Sequence, residues 1–163
     1  DVLVNNAGTI QNSLFQMTPL KKLKETFKIN FFNQIYLSQL IVKKMQKNKK
    51  GSIINVSSTS AIQGNVGRLA YASSKSSLIT ATKVMSRELG QLGIRVNSVC
   101  PGLTNTDMMV NNTDKKILSE ITERLNLKRI AEPDEIANVI AFLASDLSSY
   151  LTGENIIVDG GLT

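Results

Sequence analysis

The sequence has no histidine, and its single cysteine is Cys100. A Ser-His-Asp hydrolase site is therefore excluded, as are the common zinc sites, which draw on several His and Cys ligands. One cysteine cannot close an internal disulfide. Any acid or base in a functional site must come from another residue type.

Long apolar runs are also missing. No segment approaches the ~18 apolar residues of a membrane-spanning helix. No basic stretch leads into an apolar run and a small-residue cleavage site, as it would in a signal peptide. The 163 residues, 42% of them apolar, suffice for one domain with a buried core. We expect a single domain over residues 1–163 in a soluble, cytoplasmic protein with no membrane partner.

The net charge of +6 is partly concentrated in the lysine-rich residues 43–50, which end a long amphipathic segment. The simplest interpretation is a solvated helix C-terminus, where cations complement the helix dipole. The alternative is a docking patch for an acidic partner such as a phosphopantetheine carrier protein. Because no aromatic residues alternate with the lysines to stack on bases, we expect no nucleic-acid partner.

Short apolar runs alternate with segments of helical periodicity along the whole chain, which predicts an α/β fold with a parallel sheet. The pattern predicts strands at residues 2–4, 52–56, 95–99 and 155–158. It predicts one helical stripe that follows Thr18-Pro19 and has a break near Lys28, a helix over 69–89, and a helix opened by Pro133. The irregular segment 103–127, which contains Met108 and Met109, predicts a lid.

Tyr71 and Lys75 lie four residues apart in a predicted helix, so their side chains share one face. An unperturbed tyrosine titrates near ~10, and a neighbouring ammonium favours the phenolate. We therefore expect Lys75 to lower the pKa of Tyr71, so that the pair exchanges a proton near neutral pH. Taken alone, the pair could equally be an amphipathic helix residue and a solvated lysine.

Polar motifs directly follow three of the predicted strands. They are residues 5–8 (Asn-Asn-Ala-Gly), Ser57-Ser58 and Pro101-Gly102. In open parallel sheets, ligands bind beyond the carboxyl ends of the strands. The three motifs therefore predict a single site at that edge of the sheet.

With these motifs in this order, the chain resembles the short-chain dehydrogenase/reductase family, and is closest in pattern to the 3-oxoacyl carrier-protein reductases. The resemblance spans essentially all 163 residues. Its residues are N-N-A-G from Asn5, Asn30 in K-I-N, Ser58, Y-x-x-x-K at Tyr71 and Lys75, P-G at Pro101, T-G-E at 152–154 and D-G-G at 159–161.

The resemblance implies the C-terminal part of a Rossmann-like, doubly wound parallel sheet, without the family's first strand-helix units. The Gly-rich turn that binds the cofactor pyrophosphate and the residue that selects NAD or NADP are outside the sequence. We therefore expect a part of a longer enzyme, which binds cofactor poorly in isolation and leaves the strand at residues 2–4 as an exposed edge.

The resemblance also implies catalytic and cofactor-binding roles for particular residues. Tyr71 is expected to be the general acid of carbonyl reduction, with Ser58 bonded to the same oxygen; Ser57 is the alternative if the register slips by one. Lys75 would lower the phenol pKa and bind the nicotinamide ribose, and Asn30 would hold a water near Lys75. The expected cofactor is NADP or NAD, with NADPH favoured, and Thr106 would bind its carboxamide. The implied cofactor-binding residues are Asn5, Ala7, Gly8, Tyr71, Lys75, Pro101, Gly102, Thr104 and Thr106.

The expected substrate is a 3-oxoacyl thioester, either a small molecule or carried by acyl carrier protein, and the expected assembly is a homodimer or homotetramer. A sugar, steroid or small-alcohol dehydrogenase of the same family remains open. Two non-catalytic hypotheses also remain open: the chain is a fragment that assembles with complete subunits, or it is a carrier-binding module. The D-G-G motif, and the two asparagines at 5 and 6, could be purely structural turns.

Overall fold

The computed structural model describes residues 1–163, except for the side chain of Lys115. Its sheet has four parallel strands in the order β1-β2-β3-β4. The strands are β1 Val2–Asn5, β2 Gly51–Val56, β3 Ile94–Pro101 and β4 Asn155–Val158. All four strands and their parallel pairing were predicted, and the structure extends three of them by one to three residues.

The helices follow the predicted order. They are α1 Leu20–Phe27, α2 Asn33–Asn48, α3 Ser60–Gln63, α4 Leu69–Leu89, α5 Asp107–Asn112, α6 Lys115–Arg124 and α7 Pro133–Ala144. Three short 3-10 segments cover Phe15–Met17, Gly90–Leu92 and Asp146–Ser148. Pro19 precedes α1 instead of opening it, a shift of one residue from the prediction.

Two apolar clusters cover the two faces of the sheet, as a doubly wound fold requires. On one face Ile53 and Val96 pack with Met45 of α2 and with apolar residues of α4. On the other face Ile54 packs against Ile136 and other residues of α7. Neighbouring residues of β2 point to opposite faces, and both faces are covered, so the strand is buried throughout instead of alternating.

The predicted break near Lys28 is a π-helical turn, Lys28–Phe32, that joins α1 to α2. A π-turn inserts an extra residue into the helical repeat and often occurs where a side chain must be redirected toward a site. Asn30 lies in this turn, is fully buried, and points into the protein beside Thr9 and Ser74.

Strand β1 is an edge of the sheet in this chain, pairing with β2 alone among the described residues, and Val2 is half exposed. The predicted lid contains the short helices α5 and α6. None of the described helices has the length and apolar character needed to cross a bilayer.

Candidate active site

The carboxyl ends of the four strands are joined into one continuous edge. Ser57 N–H donates to the carbonyl of Val99 at 2.7 Å, and Gly102 N–H donates to the carbonyl of Val158 at 2.9 Å. The strand pairing thus extends into the loops that carry the polar motifs. The predicted common location of these motifs is confirmed in the structure.

Helix α4 is fixed against this edge by the two residues Ser57 and Lys75. The Ser57 hydroxyl donates to the backbone carbonyl of Lys75 at 2.8 Å, and Lys75 Nζ donates to the carbonyl of Val56 at 2.7 Å. Ser57 is therefore occupied in holding the helix. Ser58, which was favoured by its spacing to Tyr71, accepts from the N–H of Ser60 through its hydroxyl oxygen at 3.1 Å, and its hydroxyl also hydrogen-bonds the Tyr71 side chain.

Lys75 is almost completely buried, at 3% exposure. Burial penalises the ammonium and lowers the pKa of Lys75 from 10.5 to about 8. Cys100, which is buried nearby on β3, opposes this shift. The Lys75 amine can therefore gain or lose a proton close to neutral pH.

The pKa of Tyr71 is raised above 10, whereas the sequence predicted that it would be lowered. The largest cause is burial of the phenol, which disfavours phenolate. The Ser58 hydroxyl and then the Arg68 guanidinium oppose the rise, and Cys100 adds to it. The prediction was wrong for two reasons. It took account of the Lys75 charge but not of the burial of the Tyr71 phenol. In addition, Lys75 Nζ is directed to the Val56 carbonyl.

Asn30 connects the first loop of the site to α4. Its Oδ1 accepts from Thr9 N–H at 2.8 Å, and its Nδ2 donates to the Thr9 carbonyl at 2.9 Å and to Ser74 Oγ at 3.0 Å. Ser74 Oγ in turn donates to the carbonyl of Tyr71 at 2.8 Å. A polar residue within an apolar stripe was expected to have buried partners, and it does.

Gly8 borders both Asn30 and Lys75. A Cβ on Gly8 would lie 3.4 Å from Lys75 Nζ and 3.7 Å from Asn30 Oδ1. A methyl group at this position would be in ordinary van der Waals contact with both side chains. Ala7 is held through its carbonyl, which accepts from Gln34 Nε2 at 2.5 Å.

The Asn5 side chain is directed between the sheet and α2. Its Nδ2 donates to Ser38 Oγ at 2.9 Å and to Asn55 Oδ1 at 2.8 Å, and the residue is buried between sheet and helix. These contacts favour a structural role for the Asn5 side chain, which was the alternative interpretation of this motif.

The loop after β3 carries the other implied cofactor residues. Gly102, directly after Pro101, lies so close to the next loop that a Cβ on it would be 2.7 Å from Cβ of Asp159. Thr104 donates through Oγ1 to the Gly102 carbonyl at 3.2 Å. Thr106 is the N-cap of α5 and accepts from Met109 N–H at 3.3 Å. Its hydroxyl therefore already has a local partner.

The D-G-G motif forms a turn closed by its own carboxylate. Asp159 accepts from Gly161 N–H at 2.9 Å and from Thr163 N–H at 2.8 Å. These bonds favour the structural interpretation of this motif.

The sequence reasoning missed Arg68 and Ser74. Ser74 lies inside the Y-x-x-x-K segment, three residues after Tyr71, and this position could have identified it as a residue of the site. Arg68 lies three residues before Tyr71, a separation that places two side chains on one helix face. Its contact with α5, 44 residues away, had no sequence signal.

The family model described as enoyl-(acyl carrier protein) reductase matches residues 1–163. The chain belongs to the short-chain dehydrogenase/reductase family. Among curated relatives, it is 40% identical to a 3-oxoacyl-[acyl-carrier-protein] reductase of Aquifex aeolicus and 41% identical to one of Thermotoga maritima, each over 162 residues. These alignments cover 99% of this chain and 65% of either relative, so the chain spans about two thirds of their length.

Solved structures of short-chain dehydrogenases/reductases have the same fold. A 4-hydroxyisoleucine dehydrogenase mutant complexed with NADH and succinate superposes with a TM-score of 0.95 at 33% identity, over 100% of this chain and 68% of that one. A short-chain dehydrogenase/reductase family protein gives a TM-score of 0.92 at 34% identity, over 99% and 66% of the two chains.

Proposed function

We propose that the protein is an NAD(P)-dependent oxidoreductase that reduces a carbonyl group to an alcohol, with Tyr71 as the proton donor. The observation that carries this proposal is the convergence of Tyr71, Ser58 and Lys75 at the carboxyl edge of the sheet, in a member of the short-chain dehydrogenase/reductase family. That edge is the ligand-binding edge of open parallel sheets.

Tyr71 protonates the substrate oxygen as negative charge develops on it, and Ser58 donates a hydrogen bond to the same oxygen. The raised pKa of Tyr71 suits this direction of the reaction because the phenol keeps its proton at neutral pH. A positioned proton donor contributes roughly 10²–10⁴-fold to the rate.

Lys75 has two proposed tasks. Its ammonium binds the ribose hydroxyls beside the nicotinamide, and its pKa of about 8 lets it pass a proton toward Tyr71 after each turnover. Asn30 is a positioning residue in this scheme, since its hydrogen bonds join the Gly8–Thr9 loop to α4 through Ser74. A water held near Lys75 by Asn30 remains a prediction.

The residues present fit the nicotinamide end of the cofactor. Gly8 carries no side chain beside Lys75, and the Ser58 hydroxyl hydrogen-bonds the Tyr71 phenol. Tyr71, Lys75 and the backbone of residues 101–106 would hold the nicotinamide and its ribose. Reduced nicotinamide, when bound, supplies the hydride that attacks the carbonyl carbon. Both NADPH and NADH are candidates, and one similar structure is described as complexed with NADH.

The proposed substrate is a 3-oxoacyl thioester. Support comes from the curated relatives, which are named as 3-oxoacyl-[acyl-carrier-protein] reductases, and from the apolar lid, where Met109 is buried while Met108 and Val110 are exposed. The exposed Lys47 and Lys49 at the end of α2 suit an acidic carrier protein. A second candidate is a small hydroxy-acid substrate, because of the similarity to the 4-hydroxyisoleucine dehydrogenase.

We propose that a second copy of the chain covers the apolar face formed by α2 and α4. Tyr36 and Leu40 are 64% and 45% exposed on α2, Phe32 is 58% exposed in the π-helical turn that precedes it, and Val84 is 49% exposed on α4. A groove between the two helices continues this face. Its lining combines Phe31, Ile35, Val42, Val84, Met85 and Leu89 with polar residues that include Ser77, Thr80 and Glu88. Contiguous exposed apolar surface of this kind is typical of subunit interfaces.

The test of the function is a reduction assay of the full-length protein with acetoacetyl N-acetylcysteamine thioester and either NADPH or NADH. We expect loss of reduced nicotinamide with an equal yield of 3-hydroxybutyryl thioester. A panel that adds a sugar ketone, a steroid ketone and a small hydroxy acid with oxidised cofactor defines the substrate class. Failure of all of these to exchange hydride would refute the proposed activity.

A further inference from the structure

An apolar and basic patch lies where the segment after β1 enters α1. Phe15, Met17 and Leu20 are 78%, 68% and 62% exposed. A closed turn presents the first two, since the Leu14 carbonyl accepts from Met17 N–H at 2.9 Å and from the Thr18 hydroxyl at 3.0 Å. Three exposed lysines at the start of α1 continue the surface: Lys21, Lys22 and Lys24. We call these three apolar residues and three lysines the α1 patch.

The first two of these lysines do not stabilise α1. Lys21 and Lys22 lie in its first turn, which contains no acidic residue, and the positive end of the helix dipole repels cations there. Among the described residues no lysine of the patch forms an ion pair, and Glu25 is the one carboxylate between residues 14 and 28. The lysines of residues 43–50, in contrast, lie toward the favourable C-terminal end of α2. The α1 patch therefore concentrates positive charge that the helix itself does not require.

The segment that carries the patch is fastened beside the candidate active site. Ser13 N–H donates to the carbonyl of Gly67, just before α4, at 3.0 Å. Asn12 Nδ2 donates to the carbonyl of Asn112, in the lid helix α5, at 3.2 Å. These contacts carry the segment from β1 toward α4 and the lid, and so away from the free edge of β1. The patch thus borders the lid on the side of the site.

The two basic clusters lie at opposite ends of one helical run, in which the π-helical turn joins α1 to α2. Asn30 lies at the level of the candidate site. Lys21 and Lys24 precede it by nine and six residues, which places them about 9–14 Å beyond the carboxyl edge of the sheet. Lys47 and Lys49 lie next to the start of β2, whose six residues separate them from that edge by about 20 Å. Within one chain, the α1 patch is the cluster on the side of the site.

We propose that the α1 patch is the docking surface for an acidic acyl carrier protein that delivers the 3-oxoacyl thioester to Tyr71. This inference rests on the proposed function and assigns the surface that its carrier-bound substrate uses. The lysines contact acidic residues of the carrier, and the three apolar side chains pack between them. A second copy of this chain fits less well, because two such patches would bring like charges together. The lysines at the end of α2 add to the long-range attraction of the same partner.

The test compares two substrates of the full-length protein. One is acetoacetyl acyl carrier protein, and the other is the acetoacetyl N-acetylcysteamine thioester, which has the same reacting group without the carrier. Lys21→Glu/Lys22→Glu reverses the charge of the patch and places carboxylates at the favourable end of the α1 dipole, so the helix should remain folded. We expect kcat/KM for the carrier-bound substrate to fall about 10- to 100-fold. The value for the small thioester should change by less than about twofold.

Two further variants separate contact from general charge. Phe15→Gln removes an exposed ring without a change of charge and should lower kcat/KM about 10-fold for the carrier-bound substrate alone. Lys47→Glu/Lys49→Glu is the matched comparison, because it changes the net charge by the same amount at the other end of the helical run. It weakens long-range attraction only, so its effect on the carrier-bound substrate should be at least about fivefold smaller than that of Lys21→Glu/Lys22→Glu.

Equal losses for both substrates in Lys21→Glu/Lys22→Glu would overturn the inference, because α1 would then only support the site. A larger loss for Lys47→Glu/Lys49→Glu would overturn it as well, by placing the docking surface at the end of α2. Cosedimentation with phosphatidylglycerol vesicles tests a membrane as the occupant. Vesicle binding that Lys21→Glu/Lys22→Glu abolishes, with unchanged carrier kinetics, would also contradict the inference.

The wild-type protein separates this inference from the proposed function. We expect it to reduce the carrier-bound substrate with a higher kcat/KM than the small thioester. If it reduces the small thioester equally well, the inference fails and the proposed function stands. If it reduces neither substrate, the proposed function fails, and the inference with it.

Discussion

Replacing Lys75 with methionine should make the protein more stable while it removes the proposed activity. The wild-type side chain is 3% exposed, and its pKa falls from 10.5 to about 8 on folding. Such a difference corresponds to roughly 3 kcal/mol of unfavourable free energy for the charged form. Methionine has a similar length, removes this cost, and loses the hydrogen bond to the Val56 carbonyl, which is worth about 1 kcal/mol. The net gain at pH 7 is about 1–2 kcal/mol.

The sign of the pH dependence follows from proton linkage. Below the folded pKa of about 8, both states of wild-type protein carry the proton on Lys75, and the folded state bears the full cost. Between about 8 and 10.5, the unfolded chain binds a proton that the folded chain has released, so wild-type stability rises with pH. The stability of Lys75→Met relative to wild type should therefore fall by roughly 3 kcal/mol across this window, so that the variant becomes the less stable protein at its upper end.

The assay is urea unfolding of wild-type protein and Lys75→Met at several pH values from 7 to about 10, compared as a difference so that other titrating groups cancel. Lys83→Met is the control, because Lys83 is exposed on the same helix. It should change the free energy of unfolding by less than about 0.5 kcal/mol at every pH. A stability difference for Lys75→Met that does not vary with pH would refute the argument that Lys75 is desolvated.

Three further predictions concern the fold and assembly. Asn30→Ala should lower the free energy of unfolding by about 2–4 kcal/mol in urea, since it leaves buried partners unsatisfied, while Asn33→Ala on the exposed side should change it little. Leu40→Arg should shift the protein to monomer in sedimentation velocity; an unchanged mass would exclude the α2–α4 face as the interface. Gly102→Ala should lower the thermal midpoint by forcing Asp159 away at a cost of about 1–3 kcal/mol, and an unchanged midpoint would show that the two loops separate freely.

The sheet and its main helix, α4, could be predicted from the sequence. The predicted bounds of α4, residues 69–89, agree with the structure because the helix is long, periodic and ended by glycine. The polar motifs were correctly predicted to share one edge, because parallel strands direct all their carboxyl ends the same way.

The electrostatics of the site could not be predicted from the sequence. The direction of the shift in the Tyr71 pKa depends on how deeply the phenol is buried, and this burial outweighs the hydrogen bond from Ser58 and the charge of Arg68. Asn5 was predicted to bind the cofactor, and Ser57 was the alternative to Ser58. In the structure their bonds to Ser38, Asn55 and the Lys75 carbonyl are directed into the protein interior. Such partners come from distant segments, and the spacing of residues along the chain does not reveal them.

The most direct test of the proposed proton donor is the single-turnover reduction of acetoacetyl thioester by full-length Tyr71→Phe, compared with Tyr150→Phe. Tyr150 is fully exposed and carries the same hydroxyl away from the site. The account predicts a loss of roughly 10²–10⁴-fold for Tyr71→Phe, with wild-type rates for Tyr150→Phe. Rates for Tyr71→Phe within a few fold of wild type, in a protein that remains folded, would contradict it.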